Sequence, residues 1–281
     1  MCKVLGIRRS TYYKKCNWTA SHREIETQKL DAEIKKIYFD SKKRYGAPKI
    51  HNIISSDGRT LSLKRVQRRM AAMGLRSIVI KKYRHYSDNA KVVEQQNILQ
   101  QDFTATAINQ KWCTDITYIH TLKDGWTYLA SVMDFYSKKI IGWSYGTHMT
   151  ADLALKAVEN ACLNVKSTEG IIIHSDLGSQ YTSDLFESYL SKAKMKHSFS
   201  RKGCPYDNAC IESFHSLLKK EEVHLHTYID SKDAYNSIFE YIESWYNRKR
   251  IHSSLNYMTP EAVHNMAPCA AQKSHFRCPL Y

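Results

Sequence analysis

Three acidic residues occupy positions where a carboxylate suggests chemistry. Asp115 falls inside an alternating segment rich in Ile, Thr and Tyr, where a charge is costly unless it is used or paired. Asp176 directly follows the mostly apolar run 171–175, a predicted strand, and α/β sheets tend to place their ligand-binding groups at such strand ends. Glu212 lies in a predicted helix and borders its apolar face. The strands and helices around these acids decide whether they can meet.

Carboxylates that meet would form an oxygen-rich site suited to Mg²⁺ or Mn²⁺. Two such ions activate the attacking oxygen and stabilise the leaving oxygen in phosphoryl transfer. A cation is needed because the scissile phosphodiester is anionic and bare carboxylates would repel it. Each acid alone is weak evidence, since a lone buried Asp is more often a cap or an ion-pair partner. The residue types by themselves therefore leave a structural role open.

The segment 109–225 must position these acids, and its pattern predicts a mixed α/β sheet. Two strands rich in Ile, Thr and Tyr are separated by the hairpin signal Lys123–Gly125. Helical stripes then alternate with short apolar strands. The predicted strands are 112–122, 126–135, 139–146, 170–174 and 195–200, and the predicted helices are 151–165, 183–193 and 208–222. This order is typical of a ribonuclease-H-like core, a five-stranded mixed sheet with flanking helices.

Residues 26–80 predict a small all-α helix-turn-helix domain ahead of this core. Pro48 suits the first turn of its second helix, Ser62 is a predicted N-cap of the third, and Gly74 ends that helix. The third helix carries four cations that predict DNA contacts: Lys64, Arg65, Arg68 and Arg69. The alternative is a solvated basic face on a small bundle. Residues 1–25 resemble the tail of a further helix-turn-helix unit, or else a frayed basic terminus.

The remaining segments are simpler. Residues 81–108 are polar without clear periodicity and predict a linker. Residues 226–281 predict a further amphipathic helix over 231–247, a basic and aromatic segment that completes the core, and a loose tail from 265. The sequence therefore predicts three parts: a DNA-binding unit, a linker and a catalytic unit with its C-terminal extension.

Charge and cysteine content narrow the class of protein. The formal net charge is +15, and all of the excess lies in residues 1–100, which hold 23 Lys and Arg against 8 Asp and Glu. Such a block favours a nucleic-acid partner over a merely basic surface or a membrane-surface segment. The eight cysteines form no Cys-x-x-Cys pair and predict reduced, mostly buried thiols rather than a zinc site. No signal peptide or membrane span is predicted, so we expect a cytoplasmic, nucleoid-associated protein.

Three strings carry a family resemblance. WCTDITYI (112–119), HSDLGSQYTS (174–183) and YDNACIESFHSLLKKE (206–221) are similar to the three blocks of insertion-sequence transposases with a retroviral-integrase-like core. More narrowly, the chain resembles the second-reading-frame product of the insertion-sequence-three family over residues 30–265. The resemblance implies that Asp115, Asp176 and Glu212 are the catalytic metal-binding triad. It also implies DNA contacts by a set of further residues: Lys219, Asn208, Arg248, Arg250 and His252.

The resemblance implies a DDE-type transposase that cuts and joins DNA strands at the ends of an insertion element. Mg²⁺ or Mn²⁺, as two ions, would be the cofactor, and no covalent enzyme–DNA bond is expected. The partners would be the terminal inverted repeats, the target DNA, further copies of the chain and the upstream reading-frame product. Two other hypotheses remain: a ribonuclease-H-type nuclease that cuts without joining, and a DNA-binding regulator with an inactive core.

Overall fold

The computed structural model describes residues 2, 6–17, 19–56, 58–79, 98, 99, 102, 104–200 and 208–266. The chain divides into two compact units, residues 1–78 and 79–281. Most of the predicted linker and tail lie outside the described residues. Within the described residues, no helix is long and apolar enough to cross a membrane.

The first unit is helical. It contains α1 (Arg9–Cys16), α2 (His22–Asp40), α3 (Ala47–Ser55) and α4 (Leu63–Ala72). The predicted local signals are confirmed: the Ser62 side chain caps α4, Pro48 stands in the first turn of α3, and Gly74 follows α4 with a φ of 68°. α2 begins with a capping box, in which Ser21 and Glu24 bond each other's backbone N–H groups. Apolar residues from α2, α3 and α4 are buried together: Leu30, Ile34, Ile50, Ile54, Val66 and Met70.

The second unit is built on a five-stranded sheet, as predicted. Its strands are β1 (Lys111–Thr121), β2 (Gly125–Asp134), β3 (Ile140–Gly146), β4 (Ile172–Ser175) and β5 (Lys196–Phe199). Their order is β3-β2-β1-β4-β5. β1 pairs antiparallel with β2 and parallel with β4, and β5 is parallel to β4. The parallel half of the sheet thus joins strands separated by a helix in the chain, as crossover connections require.

Helices cover both faces of the sheet. α5 (Ala151–Cys162) and α6 (Asp184–Lys192) share a core with one face, which includes Trp112, Ile173 and Phe186. α7 (Ala209–Glu221) and α8 (Ser231–Phe239) pack on β1 from the opposite face, and a short helix, α9 (Pro260–Met266), ends the described chain. Alternate residues of β1 therefore serve two different layers.

Gly142 of β3 permits the close packing of α5. A β-carbon built there would lie 2.3 Å from the carbonyl oxygen of Ala157 and 2.4 Å from the backbone nitrogen of Ala161. Since both neighbours are helix backbone, a side chain cannot be accommodated by a rotamer change. Glycine at this position sets the distance between helix and sheet.

The helix predicted over 231–247 is confirmed in extent, although α8 ends at Phe239 and its continuation over Glu240–Tyr246 is π-helical. One prediction was wrong. The cysteines were predicted to be mostly buried. Of the described cysteines, all are free thiols, Cys113 is buried and Cys16 is exposed.

Candidate active site

Parallel pairing brings two of the three acids side by side. β1 and β4 are in register at Cys113 and His174, and Asp115 and Asp176 each follow two residues later. The loss of water around Asp176 raises the pKa of its carboxyl, and the negative charge of Asp115 raises it further. The backbone N–H of Gly178 donates a hydrogen bond of 3.0 Å to Asp176 Oδ1, and this bond lowers the pKa of the Asp176 carboxyl. The two carboxylates are therefore close enough to repel each other, which a shared cation would relieve.

Asp115 is held by two contacts. Its Oδ1 accepts a hydrogen bond of 2.8 Å from the backbone N–H of Ile116. His215 of α7 places Nδ1 3.3 Å from Oδ2 of Asp115, and its Nε2 lies 3.4 Å from the hydroxyl of Ser131 on β2. The sequence analysis missed His215, although it stands three residues after Glu212 and hence on the same side of the helix.

A buried polar network supports the strand end that carries Asp176. The Ser175 hydroxyl lies 2.9 Å from the Asp176 carbonyl oxygen and 2.8 Å from His197 Nε2, and His197 Nδ1 lies 2.6 Å from Glu187. Burial lowers the pKa of His197, against the raising effect of Glu187. His174 is likewise placed between two serine hydroxyls of the β5 region, Ser198 and Ser200, each at 3.0 Å. These contacts tie the end of β4 to α6 and β5.

Glu212 reaches the site from α7. The buried residues of this helix include Ile211, Phe214 and Leu218, and they fix its rotation against the sheet. Glu212 and Lys219 line a cleft of ≈1310 Å³ that also contains Asp115 and His215. Glu212 and Lys219 therefore lie on the same side of α7, seven residues or nearly two helical turns apart. Within the described residues, no three His, Cys, Asp or Glu side chains are already grouped tightly enough to hold a metal ion.

The carboxylates nevertheless fit a hard cation. All three supply oxygen, the donor type that Mg²⁺ and Mn²⁺ prefer. The negative charge of Asp115 raises the pKa of the Asp176 carboxyl, and Glu212 lines the same cleft as Asp115. The donor chemistry of the site matches the metal predicted from the sequence.

The four cations predicted on α4 fall into two pairs. Lys64 and Arg68 are exposed. Arg65 and Arg69 instead form ion pairs with α2, to Glu26 at 3.2 Å and to Asp31 respectively. The hydrogen bonds to Asp31 raise the pKa of Arg69. A DNA phosphate would have to compete with these acids for Arg65 and Arg69.

The structure corrects part of the predicted C-terminal DNA contact. Arg248 is exposed, but Arg250 is buried and its guanidinium bonds both carboxylate oxygens of Glu221. His252 is buried beside Arg250, and Asn208 is buried at the start of α7, where its Oδ1 has no hydrogen-bond partner among the described residues. The guanidinium of Arg250 is therefore occupied by the buried carboxylate of Glu221, and losing either partner would leave an uncompensated buried charge. As placed here, Arg250, His252 and Asn208 do not form an exposed contact surface.

Comparison with known proteins gives family and relatives. The chain matches the family described as "Integrase core domain" over residues 105–205, a second family of the same description over 193–260, and "HTH-like domain" over 24–83. It is 38% identical over 268 residues to the transposase InsF for insertion sequence IS3A of Escherichia coli (strain K12), covering 94% of this chain and 93% of that protein.

A second relative is the transposase for insertion sequence element IS904 of Lactococcus lactis subsp. lactis (strain IL1403). The identity is 39% over 242 residues, covering 86% of this chain and 95% of the relative. Among solved structures, the trimeric form of the HTLV-2 integrase catalytic core domain in complex with magnesium matches with a TM-score of 0.43 and 16% identity. That match covers 57% of this chain and 99% of the viral domain.

Proposed function

The chain belongs to the IS3 family of insertion-sequence transposases, and from this premise we propose that Asp115, Asp176 and Glu212 are its catalytic carboxylates. Membership confirms the resemblance seen in the sequence and the integrase-like core with its HTH-like domain. The protein is a DDE-type polynucleotidyl transferase that acts in DNA transposition and integration. Which residues carry that activity is the subject of the proposal.

One observation supports the assignment: the register of β1 and β4 brings Asp115 close to Asp176, which directly follows β4, and the charge of Asp115 raises the pKa of the Asp176 carboxyl. Two acids kept this close are unfavourable, which supports a site that serves a cationic ligand. Glu212 completes the set from α7, on the same cleft as Asp115.

Integrase-core enzymes depend on divalent metal, and we propose that the three carboxylates hold Mg²⁺ or Mn²⁺, as two ions. The bound metal would activate the attacking water or 3′-hydroxyl and stabilise the leaving oxygen. His215 keeps one carboxylate oxygen of Asp115 oriented. Lys219, on the same cleft, would bind a phosphate of the DNA end and neutralise its charge. His215 and Lys219 would thus orient a carboxylate and the DNA strand, while the metal would activate the attacking oxygen.

DNA binding outside the catalytic cleft is assigned to exposed cations. Lys64 and Arg68 on α4 would contact the terminal repeat, and Arg248 would contact the backbone nearer the core. We propose that the working form is a homo-multimer that bridges two element ends and a target, and that the upstream reading-frame product acts as fusion or partner. The protein would work in the cytoplasm, at the nucleoid.

The test is a cleavage and joining assay with Mg²⁺ on DNA that carries the element's own ends. Asp176→Asn and Glu212→Gln should each abolish joined products, because each removes a metal ligand while preserving shape. The matched control is Glu159→Gln, an exposed acid on α5 away from the cleft, which should retain activity. Full joining by Asp176→Asn would refute the assignment. Cutting without joining would favour the nuclease hypothesis, and binding without products would favour the regulator or a requirement for the upstream product.

A further inference from the structure

The second half of β1 extends beyond its parallel neighbour. Pairing with β4 runs from Lys111 to Cys113, whereas pairing with β2 continues to Thr121. The β1–β2 ribbon therefore continues past Asp115 along an edge of β1 that no longer pairs with β4, while β3 pairs with β2 as far as Tyr128. The side chains of this ribbon follow the proposed catalytic Asp115 along that edge.

One face of the ribbon is aromatic and exposed. We call the four residues Tyr118, His120, Trp126 and Tyr128 the aromatic ribbon. Tyr118 is 49% and Trp126 59% exposed. Cross-strand pairing sets their rings edge to face, with centroids 5.6 Å apart for Tyr118 and Tyr128 and 5.1 Å for His120 and Trp126. Tyr128 is half-buried and packs against the core. Aromatic side chains usually gain stability by burial, so the exposure of Tyr118 and Trp126 side by side is consistent with a binding surface.

The aromatic ribbon lines the same cleft as Asp115 and Glu212. Tyr118 and Asp115 point to opposite faces of β1, so the cleft passes around the edge of β1 that does not pair with β4, and cations form part of another wall. Lys219 and Lys220 of α7, with His224 and His226 after it, line this cleft. Rings combined with cations are the surface that single-stranded nucleic acid requires, because bases stack on the rings and phosphates are drawn to the charges. The cleft, at ≈1310 Å³, exceeds the roughly 300–1,000 Å³ of pockets for one small molecule, so it has room for a short run of nucleotides.

We propose that this cleft binds an unpaired segment of the DNA end next to the scissile phosphate, with bases against Tyr118 and Trp126 and phosphates near Lys219 and Lys220. The segment must be unpaired because the faces of bases inside a duplex are covered by their neighbours. A protein segment fits less well, since the exposed rings can stack on bases and the cations attract a phosphate backbone. The inference rests on the proposed function, because it takes the scissile phosphate to lie at Asp115.

The test measures binding in EDTA, where no strand is cut. The probes are the element's terminal repeat as a blunt duplex and as the same duplex with a short single-stranded flank that contains 2-aminopurine. The full chain should bind the flanked duplex more tightly and quench the 2-aminopurine. Trp126→Ala should weaken binding of the flanked duplex about five- to a hundredfold, leave blunt-duplex binding unchanged and relieve the quenching. Trp126→Phe should retain most of the preference.

The matched control is Leu122→Ala, a 66% exposed apolar residue at the tip of the same hairpin, which should behave like the wild type. Equal affinity of the wild type for both probes would overturn the proposal, as would equal weakening of both probes by Trp126→Ala. Loss of self-association with unchanged DNA binding would identify the aromatic ribbon as a contact between copies instead. If the flank preference is observed but Mg²⁺ yields no joined products, the proposed function fails while this inference stands.

Discussion

The buried ion pair between Arg250 and Glu221 can be tested directly, because it predicts that Arg250 supports the fold rather than contacts DNA. Their side chains are 8% and 4% exposed. Glu221 also accepts hydrogen bonds from the hydroxyl of Tyr241 at 3.1 Å and the indole N–H of Trp245 at 3.2 Å. Burial alone would lower the pKa of Arg250, but the hydrogen bonds and charge of Glu221 outweigh it and raise the pKa above its ordinary value. The pair thus joins the end of α7 to the segment that follows the π-helical turn.

Arg250→Met would leave the Glu221 carboxylate buried without an opposite charge. Removing one partner of a buried pair costs about 3–5 kcal/mol. Since Glu221 keeps two neutral donors, we expect the lower end, about 3 kcal/mol, which moves a urea midpoint by about 1–3 M. Urea unfolding followed by tryptophan fluorescence measures this shift. The double variant Arg250→Met/Glu221→Leu should recover most of the loss, because no unpaired charge remains.

Arg248→Ala is the matched control, since Arg248 is exposed close by in the chain. It should leave unfolding unchanged, within about 0.5 kcal/mol, and weaken DNA binding. If Arg250→Met unfolds like the wild type but loses DNA affinity, as Arg248→Ala should, Arg250 is not held in a buried ion pair. Arg250 would then contact DNA, as the sequence predicted.

Three further results are expected. Gly142→Ala should destabilise the core by more than the roughly 1–3 kcal/mol of ordinary overpacking, because the added methyl group would clash with helix backbone. Thermal unfolding should show a lower Tm, and an unchanged Tm would contradict the close packing of α5 on β3. Burial lowers the pKa of His197 in the folded state, so the unfolded chain binds the proton more readily and the free energy of unfolding should fall as pH drops below about 6.5. His197→Phe should flatten this fall, and parallel pH profiles for the two proteins would contradict the role of His197. Arg68→Ala should reduce by about one the slope of log binding constant against log salt concentration for DNA. Arg69→Ala, which breaks the ion pair with Asp31, should mainly lower the free energy of unfolding. Equal slopes for the two variants would contradict the assignment of Arg68 to DNA and of Arg69 to the fold.

Much of the core could be predicted because its local patterns and its fold agree. The alternation in β1, the Lys123–Gly125 turn and the apolar run of β4 each place a strand within two residues of its observed bounds. The order of the strands within the sheet was not predicted, and it is the pairing of β1 with β4 that brings Asp115 close to Asp176. The sequence therefore indicated the strand positions of the two acids but not their proximity.

The remaining features depend on tertiary contacts that no local pattern encodes. Arg250 stands in a run of basic residues and was predicted to be exposed, yet Glu221, distant in the chain, draws it inside. The change from α8 to a π-helical segment does not follow from the apolar spacing of 231–247. His215 was within reach of a helical-wheel argument, but its contact with Asp115 requires the position of α7 on the sheet.

The order of the three acids along the chain has a consequence for synthesis. The hairpins of β1, β2 and β3 join neighbouring segments, whereas β1 meets β4 only after roughly 60 further residues have been made. Glu212 follows Asp115 by roughly 100 residues, which takes about 5–20 s at a synthesis rate of about 5–20 residues per second. The basic helices of the first unit are therefore complete in the growing chain well before the last of the proposed catalytic acids is made.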